Sequence, residues 1–435
     1  MDTNTIAAVA IFIATFALIL SEKIDRMVVS LGGAVAMITA GTMLGFYSYK
    51  EALAMIELDT LTLLFGMMAL VGMLERTGAF QYVAIKLAHM SKGKPITLLL
   101  MLGATTSVLS MFLDNVTTVV LIIPVTMSIT SILRISPTPF LIGEATMSNI
   151  GGLATLVGDP PNLIIGSTVE GLSFMGFFMH LLPFAALAWL IAFGCILVVF
   201  RKEMSKTPKD TNELKYMRPA DSLKDKRSAV RLFWIFAAVI TLFFLSESMG
   251  IRPAVIAIGG ACAGFVLTRA KVDDVLSKVE FNILIFFSGL FVTVGGLEHC
   301  GFLRTLSGFI TGMAHENMPL CAMITIWSSG LASAIIDNIP FTIAMIPVIQ
   351  SLGETLGNAD LLTPLWWALA IGVGLGGNGT IIGATANVIA VRHSEKSETP
   401  ITTKIWMKSG LSITLLSMLA SSVLFMCMYE FMRTK

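Results

Sequence analysis

The chain has 435 residues, of which 55% are hydrophobic and 13% charged, with a mean hydropathy of +0.83. No water-soluble fold hides that much apolar surface. The net charge of +1, from 29 basic and 28 acidic side chains, provides no basic field for nucleic acid. An all-α polytopic membrane protein is predicted.

In chain order, the apolar run from Thr5 to Leu20 follows no basic leader and ends in Ser21-Glu22-Lys23 without a small-residue cleavage site, so it reads as a retained first span. Spans follow at about 27 to 45 and 60 to 74. The apolar stretch 95 to 134 is interrupted by Asp114-Asn115 and suits a re-entrant hairpin. Residues 139 to 168 form a span broken by GGLATLVGDPPN, and 172 to 200 form an unbroken one. The polar, basic stretch 201 to 230 reads as a cytoplasmic linker. It is read as a solvated, topology-setting loop, with docking of a cytoplasmic partner such as an ATPase subunit the alternative. Spans resume at 231 to 248, 251 to 268 and 281 to 297. A second hairpin, 318 to 357, is interrupted by Asp337-Asn338-Ile339-Pro340. The broken helix 362 to 391 carries GGNGTIIGATAN, and 405 to 431 is the last span. Each unbroken span is long enough for a hydrocarbon core of about 30 Å.

If both hairpins leave on the side they entered, 24 of the 29 Lys and Arg residues fall in loops on one side, which the positive-inside rule makes cytoplasmic. Both termini are then expected outside the cytoplasm. With the interruptions read as full spans, this segregation fails.

Self-comparison shows why. A shift of 223 residues superposes Gly72, Glu75 and Gly78 on Gly295, Glu298 and Gly301, Asp114-Asn115 on Asp337-Asn338, and Pro124-Val125 on Pro347-Val348. A shift of 225 superposes Gly151-Gly152, Thr155, Gly158 and Asn162 on Gly376-Gly377, Thr380, Gly383 and Asn387. Residues 1 to 200 and 231 to 435 are therefore two repeats, each of five transmembrane helices and one hairpin. Five crossings are odd, so the second repeat is inverted, the architecture that places transport sites at the repeat interface near the bilayer midplane.

A carboxylate at membrane depth costs about 2.5 to 3.5 kcal/mol on insertion scales, so Asp114 and Asp337 need compensation or a purpose. Capping of the second hairpin arms is one role, and binding an ion or polar solute beside freed backbone groups is the other. The broken helices offer neutral ligands in Thr155, Asn162, Asn378, Thr380, Thr385 and Asn387, whereas Asp159 occurs only in the first copy. Tight helix packing is the alternative reading of the glycines. Glu144, whose counterpart is Leu369, reads as a proton relay or as a salt-bridge partner of Arg134. Glu75 and Glu298 read as structural. Cys195, Cys262, Cys300, Cys321 and Cys427 are scattered singly and read as small buried hydrophobes, and with no metal-ligand spacing no cofactor or metal is expected.

The runs FLDNVTTVVLIIPVTMSI at 112 to 129, GGLATLVGDPPNLIIG at 151 to 166, IIDNIPFTIAMIPVI at 335 to 349 and GGNGTIIGATANVIAV at 376 to 391 resemble the signature segments of the ion transporter superfamily. The branch is that of the ArsB-type arsenite permeases, the NhaD-type sodium/proton antiporters and the pink-eyed dilution P proteins, and the likeness is greatest to the ArsB type. The resemblance implies a scaffold domain, a transport domain of hairpins and broken helices, elevator-like alternating access, and often a homodimer. It carries Asp114, Asn115, Thr117, Thr118, Asp337, Asn338 and Thr342 into the site from the hairpins. From the broken helices it carries Gly152, Thr155, Asn162, Asn378, Thr380 and Asn387. Dicarboxylate carriers of the superfamily have Ser-Asn-Thr at the tips, and acidic tips argue against a dianion. They suit a cation, a proton or a neutral polyhydroxy acid such as arsenous acid.

Export of arsenite or antimonite against protons is thus the leading expectation, with Asp114, Asp337 and Glu144 the proton-coupling acids and a bacterial inner membrane the expected location. Sodium/proton antiport is the alternative, and an anion channel suits acidic tips least. An intramembrane aspartyl protease needs Gly-x-Gly-Asp, but residues 155 to 159 read Thr-Leu-Val-Gly-Asp and no Tyr-Asp pair occurs, so no enzyme is expected.

Overall fold

The structure, a computed structural model, describes residues 3–21, 23–169, 171–206, 218–302, 317–336, 338–356 and 359–434. All regular structure among these residues is helical. The first half comprises α1 (Thr3–Ser21), α2 (Arg26–Leu44), α3 (Tyr49–Ala54), α4 (Leu58–Arg76), α5 (Ala79–Met90), α6 (Pro95–Ser110), α7 (Asn115–Leu133), α8 (Thr138–Leu153), α9 (Pro160–Thr168) and α10 (Phe174–Val199). The second comprises α11 (Arg201–Met204), α12 (Lys226–Met249), α13 (Pro253–Thr268), α14 (Val272–Leu276), α15 (Phe281–His299), α16 (Met318–Ile335), α17 (Asn338–Leu356), α18 (Thr363–Gly376), α19 (Thr385–Ser394) and α20 (Thr403–Cys427). Among the described residues eight helices are long and apolar enough to cross a membrane, and shorter apolar helices accompany them.

Local chemistry sets the helix ends. Asp25 and Asp225 cap α2 and α12, accepting from Met27 N at 2.9 Å and from Arg227 N at 3.0 Å, and Ser48 and Glu51 form a capping box on α3. Proline opens the first turn of α6, α9 and α13, where its missing N–H costs nothing.

Contacts between distant segments sort the loops onto two faces. On the first, Arg76 pairs with Asp274 at 2.7 Å and Lys278 with Glu75 at 2.8 Å. On the second, Arg252 pairs with Asp59 at 2.7 Å, and Glu57, Gly171, Ser246 and Arg252 line one cavity. Thus α4 runs from the second face to the first, and α9 ends on the second. The start of α8 is tied by Thr138 Oγ1 to Thr399 O at 2.6 Å. That loop opens α20, whose far end meets His180 through Phe431 and Thr434, near the second-face start of α10. Between α4 and α8, the arms α6 and α7 therefore leave the first face and return to it.

The other hairpin does the reverse. α15 starts beside Lys278 and ends where Cys300 O accepts from Thr5 at the start of α1. α18 begins near Thr434, which accepts from Trp367 Nε1 at 3.2 Å. α16 and α17 so enter and leave by the second face. Two inverted repeats, each with five spans and one re-entrant hairpin, are the observed architecture.

Packing repeats as well. α1–α2 on α15 mirrors α12–α13 on α4, and α6 on α8 mirrors α16 on α18, with α10 on α20 between. The close approaches occupy matched positions. A Cβ on Gly66 would lie 2.7 Å from the Ala257 carbonyl carbon, and one on Gly289 would lie 2.7 Å from that of Ser30. On Gly151 it would lie 2.3 Å from Ser107 O, and on Gly376 it would lie 2.2 Å from Gly330 O. Backbone cannot yield as a side-chain tip can. Gly151→Ala and Gly376→Ala are each expected to destabilise by about 1–3 kcal/mol, whereas Gly194→Ala and Gly259→Ala, which face open space, leave the melting temperature in detergent unchanged. Equal melting of all four variants would contradict the packing described.

Candidate functional site

The first hairpin turns at Met111–Leu113, and Asp114 caps α7. Its Oδ1 accepts from Val116 N at 2.9 Å and Thr117 N at 3.1 Å, and its Oδ2 accepts from Thr117 Oγ1. Capping is therefore real, and it fixes a half-buried carboxylate at the tip. Thr118 is fully buried, and its hydroxyl has no partner among the described residues. Asp337, the expected counterpart, lies outside the described residues.

Each broken helix is clamped to its own hairpin. Thr155 Oγ1 donates to Met111 O and accepts from Gly158 N at 3.1 Å. In the second copy Thr380 Oγ1 donates to Ala334 O and accepts from Gly383 N at 3.2 Å. Asn162 Nδ2 donates to Leu153 O and Thr155 O, both at 2.9 Å. Asn387 Nδ2 donates to Gly377 O at 2.8 Å and Thr380 O at 2.9 Å. These side chains satisfy carbonyls that the breaks release and lipid cannot. Gly152 lets the chain fold back, since a Cβ there would lie 2.6 Å from Gly158 O.

The four discontinuities meet in one buried chain of amides. Asn115 Nδ2 donates to Asn149 Oδ1 at 3.0 Å, and Asn149 Nδ2 donates to Asn378 Oδ1 at 2.8 Å and Asn387 Oδ1 at 3.0 Å. Asp159 closes the other end, accepting from Asn115 at 3.4 Å and from Asn338 at 3.2 and 3.3 Å. Each of these six residues is at most 5% exposed. Asn378 also donates to Thr146 O at 3.3 Å, and its own carbonyl accepts from Trp406 Nε1 at 3.2 Å. That Trp sits beside a π-turn in α20 over Met407–Leu411, an irregularity frequent at functional sites.

Beside the chain lies a cavity of about 20 Å³, lined by Asp114, Asn115, Asp159, Asn338, Thr385 and Arg26. That is room for roughly one water molecule. Arg26 enters from α2, donating to Thr385 Oγ1 at 3.3 Å with its guanidinium 5.5 Å from the Phe286 ring centre, a cation–π distance. Among the described residues the site thus offers two carboxylates, one guanidinium and amides that both donate and accept.

Most residues expected in the site are in or beside this cluster. Thr342 spends its hydroxyl on Asn338 O at 2.8 Å, one turn back in its own helix. Glu144 is fully buried in α8 and accepts from Thr126. The alternative salt bridge to Arg134 is absent, because Arg134 ends α7 in the left-handed region and points into the open. Glu75 serves an ion pair away from the site. Cys262 and Cys427 are exposed instead of buried, as an apolar exterior permits.

Three site residues were not expected. Asn149 stands in the apolar run of α8, and an amide in a membrane span needs a partner, a signal that could have found it. Asp159 has no counterpart in the second repeat, so the symmetry that marks the other candidates does not mark it. Arg26 follows Ser21-Glu22-Lys23 closely in sequence, where a loop charge and a site residue look alike.

Residues 16–372 match the family described as citrate transporter. A 46 kDa membrane protein of Mycobacterium leprae is 33% identical over 422 residues, covering 96% of this chain and 97% of that protein. The P protein of Mus musculus is 32% identical over 496 residues, covering 96% of this chain and 59% of the mouse protein. The crystal structure of the Alcanivorax borkumensis YdaH transporter, described as having an unusual topology, superposes with a TM-score of 0.62 over 94% of this chain and 99% of that one at 14% identity, a likeness of fold alone. A protein of Mycobacterium tuberculosis described as an uncharacterized transporter is 34% identical over 422 residues, covering 96% of this chain and 97% of that protein. With its own inverted repeats and buried polar centre, the integral membrane protein described above is a transporter, and the chain belongs to the citrate transporter family.

Proposed function

We propose that the chain is a secondary active transporter that exports arsenite or antimonite in exchange for protons, with solute and proton competing for the polar groups between the hairpin tips, whose small cavity has to widen to admit a solute larger than water. The observation that carries this reading is the convergence of both tips and both helix breaks on one amide chain ending at Asp159, with Asp114 beside it. Arsenous acid is neutral, with hydroxyls that donate and oxygens that accept, and amides answer both. An ionised carboxylate accepts from such a hydroxyl, and protonation turns it into a neutral, weaker acceptor that itself donates. The protonated site then holds the solute less tightly, the differential affinity that antiport requires. By repeat symmetry Asp337 shares the role of Asp114.

Arg26 favours a second reading, citrate, in keeping with the family's description. A citrate anion would meet two carboxylates and one guanidinium among the described lining residues, so the neutral solute is preferred. Sodium/proton antiport, the third reading, would use carbonyls freed at the breaks, but Leu153 O, Thr155 O, Gly377 O and Thr380 O already accept from Asn162 and Asn387.

In this reading α6–α9 and α16–α19 form the transport domain, and α1, α2, α4, α12, α13 and α15 the scaffold. Near the first tip the scaffold contributes Leu63, Leu64, Met67 and Met68, an apolar surface along which an elevator movement breaks few polar contacts. The face carrying 201–230 is the cytoplasmic one, both termini lie outside, and the membrane is a bacterial inner membrane. A homodimer holding the scaffolds together suits this movement, and 201–230 is the place for an ATPase partner to dock.

Inverted vesicles with an imposed proton gradient test the solute. Gradient-driven accumulation of arsenite is expected. Accumulation of citrate instead, or sodium-induced collapse of the gradient without arsenite uptake, would replace the solute and keep the fold.

A further inference from the structure

Glu144 stands apart from the amide chain. It precedes Asn149 on α8 by five residues, about 7.5 Å of helix rise. It is 0% exposed. One carboxyl oxygen accepts from Thr126 Oγ1, and Oε2 has no partner among the described residues. The helices packed on α8 are α6, α7, α10, α18 and α19, with the first turns of α20. α6 and α18 carry no charged residue. α7 ends at the exposed Arg134, and α10 carries Cys195 and His180, whose ring nitrogens are held by Gly176 O, Phe431 O and Thr434. α19 brings the exposed Arg392 and the half-buried His393, whose Nδ1 bonds Ile389 O, and α20 brings the exposed Lys404 and Lys408. Nothing among the described residues gives Glu144 an ion pair.

An ionised carboxylate so placed would keep an uncompensated charge and an orphaned oxygen in the protein interior, costs that such sites avoid by binding a proton. Packing does not call for an acid here. The counterpart of Glu144 in the second repeat is Leu369, which is also 0% exposed, so the same position in the fold is filled by a hydrocarbon side chain. An acid retained where leucine fits has a role other than filling space.

We infer that Glu144 is a proton-binding site separate from the hairpin-tip carboxylates, occupied by a proton in the arrangement observed here and carried by the transport domain alongside the solute site. The inference rests on the proton-coupled reading above and is independent of which solute is moved. The bound proton has a direct signature, the infrared carbonyl stretch of a protonated carboxylic acid in the purified protein at neutral pH. That band is expected in the wild type and in Asp114→Asn, and lost in Glu144→Gln and in Glu144→Leu, which installs the residue of the second repeat and keeps the fold. In vesicles, the proton-to-solute ratio of Glu144→Gln should fall while solute turnover persists. A wild-type band that survives both Glu144 substitutions, or an unchanged ratio, would overturn the inference. A Glu144-dependent band in a protein that moves no proton with any solute tested would instead defeat the coupled-transport reading and leave the proton site standing.

Discussion

Asp114→Ala is expected to reduce transport to the level of membranes lacking the protein, while membrane insertion and yield stay near wild type. Two functions meet in this side chain, and two substitutions separate them. Its carboxylate accepts from Val116 N, Thr117 N and the Thr117 hydroxyl, and losing such a cap costs about 1 kcal/mol, too little to unfold a domain buried as extensively as this one. Asn is also a good cap but cannot take up a proton near neutrality. Asp114→Asn should therefore keep the melting temperature of the wild type and still lose proton-driven transport. Asp337→Ala is expected to act likewise by repeat symmetry. Wild-type flux in Asp114→Ala, measured beside a quantified membrane fraction, would remove the tip from the site.

Asn149→Ala should produce the second large effect, a fall in transport of more than about tenfold, equivalent to about 1.4 kcal/mol. Among the described residues Asn149 links the first hairpin to the second broken helix by hydrogen bonds, through Asn115 on one side and Asn378 and Asn387 on the other. Its removal leaves the buried Oδ1 atoms of Asn378 and Asn387 without this donor and Asn115 Nδ2 with Asp159 alone, and each unsatisfied group costs about 1–3 kcal/mol. The amide network then rearranges or admits water, and the site loses its geometry. A loss in Asn149→Ala that is not compounded by a second substitution at Asn387 would show the two acting as one unit. Full transport in Asn149→Ala would mean that the amide chain merely holds helices together.

The breaks and hairpin tips were legible because they are symmetric. Asp-Asn, Gly-Gly, Thr and Asn recur at matched distances, and such residues keep register only where backbone leaves the helix. The same reasoning hid the centre of the site, because its chemistry is asymmetric. Asn149 corresponds to Gly374 and Asp159 to Ala384, so comparison of the halves gives neither a symmetric partner. Arg26 was obscured by its place at a helix start, where a loop charge and a site residue look alike in sequence. Asn162 Nδ2 and the hydroxyls of Thr155 and Thr380 bond to backbone at the breaks, a bracing role that depends on side-chain direction and not on residue type. Glu144 and Arg134 could not be judged as a pair from spacing alone, since the left-handed end of α7 turns Arg134 away from the buried carboxyl.

The central claim, that solute and proton displace one another at the hairpin tips, is tested most directly by adding arsenite to the purified protein in weakly buffered detergent solution and recording the pH. The account predicts a solute-dependent, saturable proton signal in the wild type that is diminished in Asp114→Asn. Saturable arsenite binding with no proton signal, or an equal signal in the variant, would contradict it.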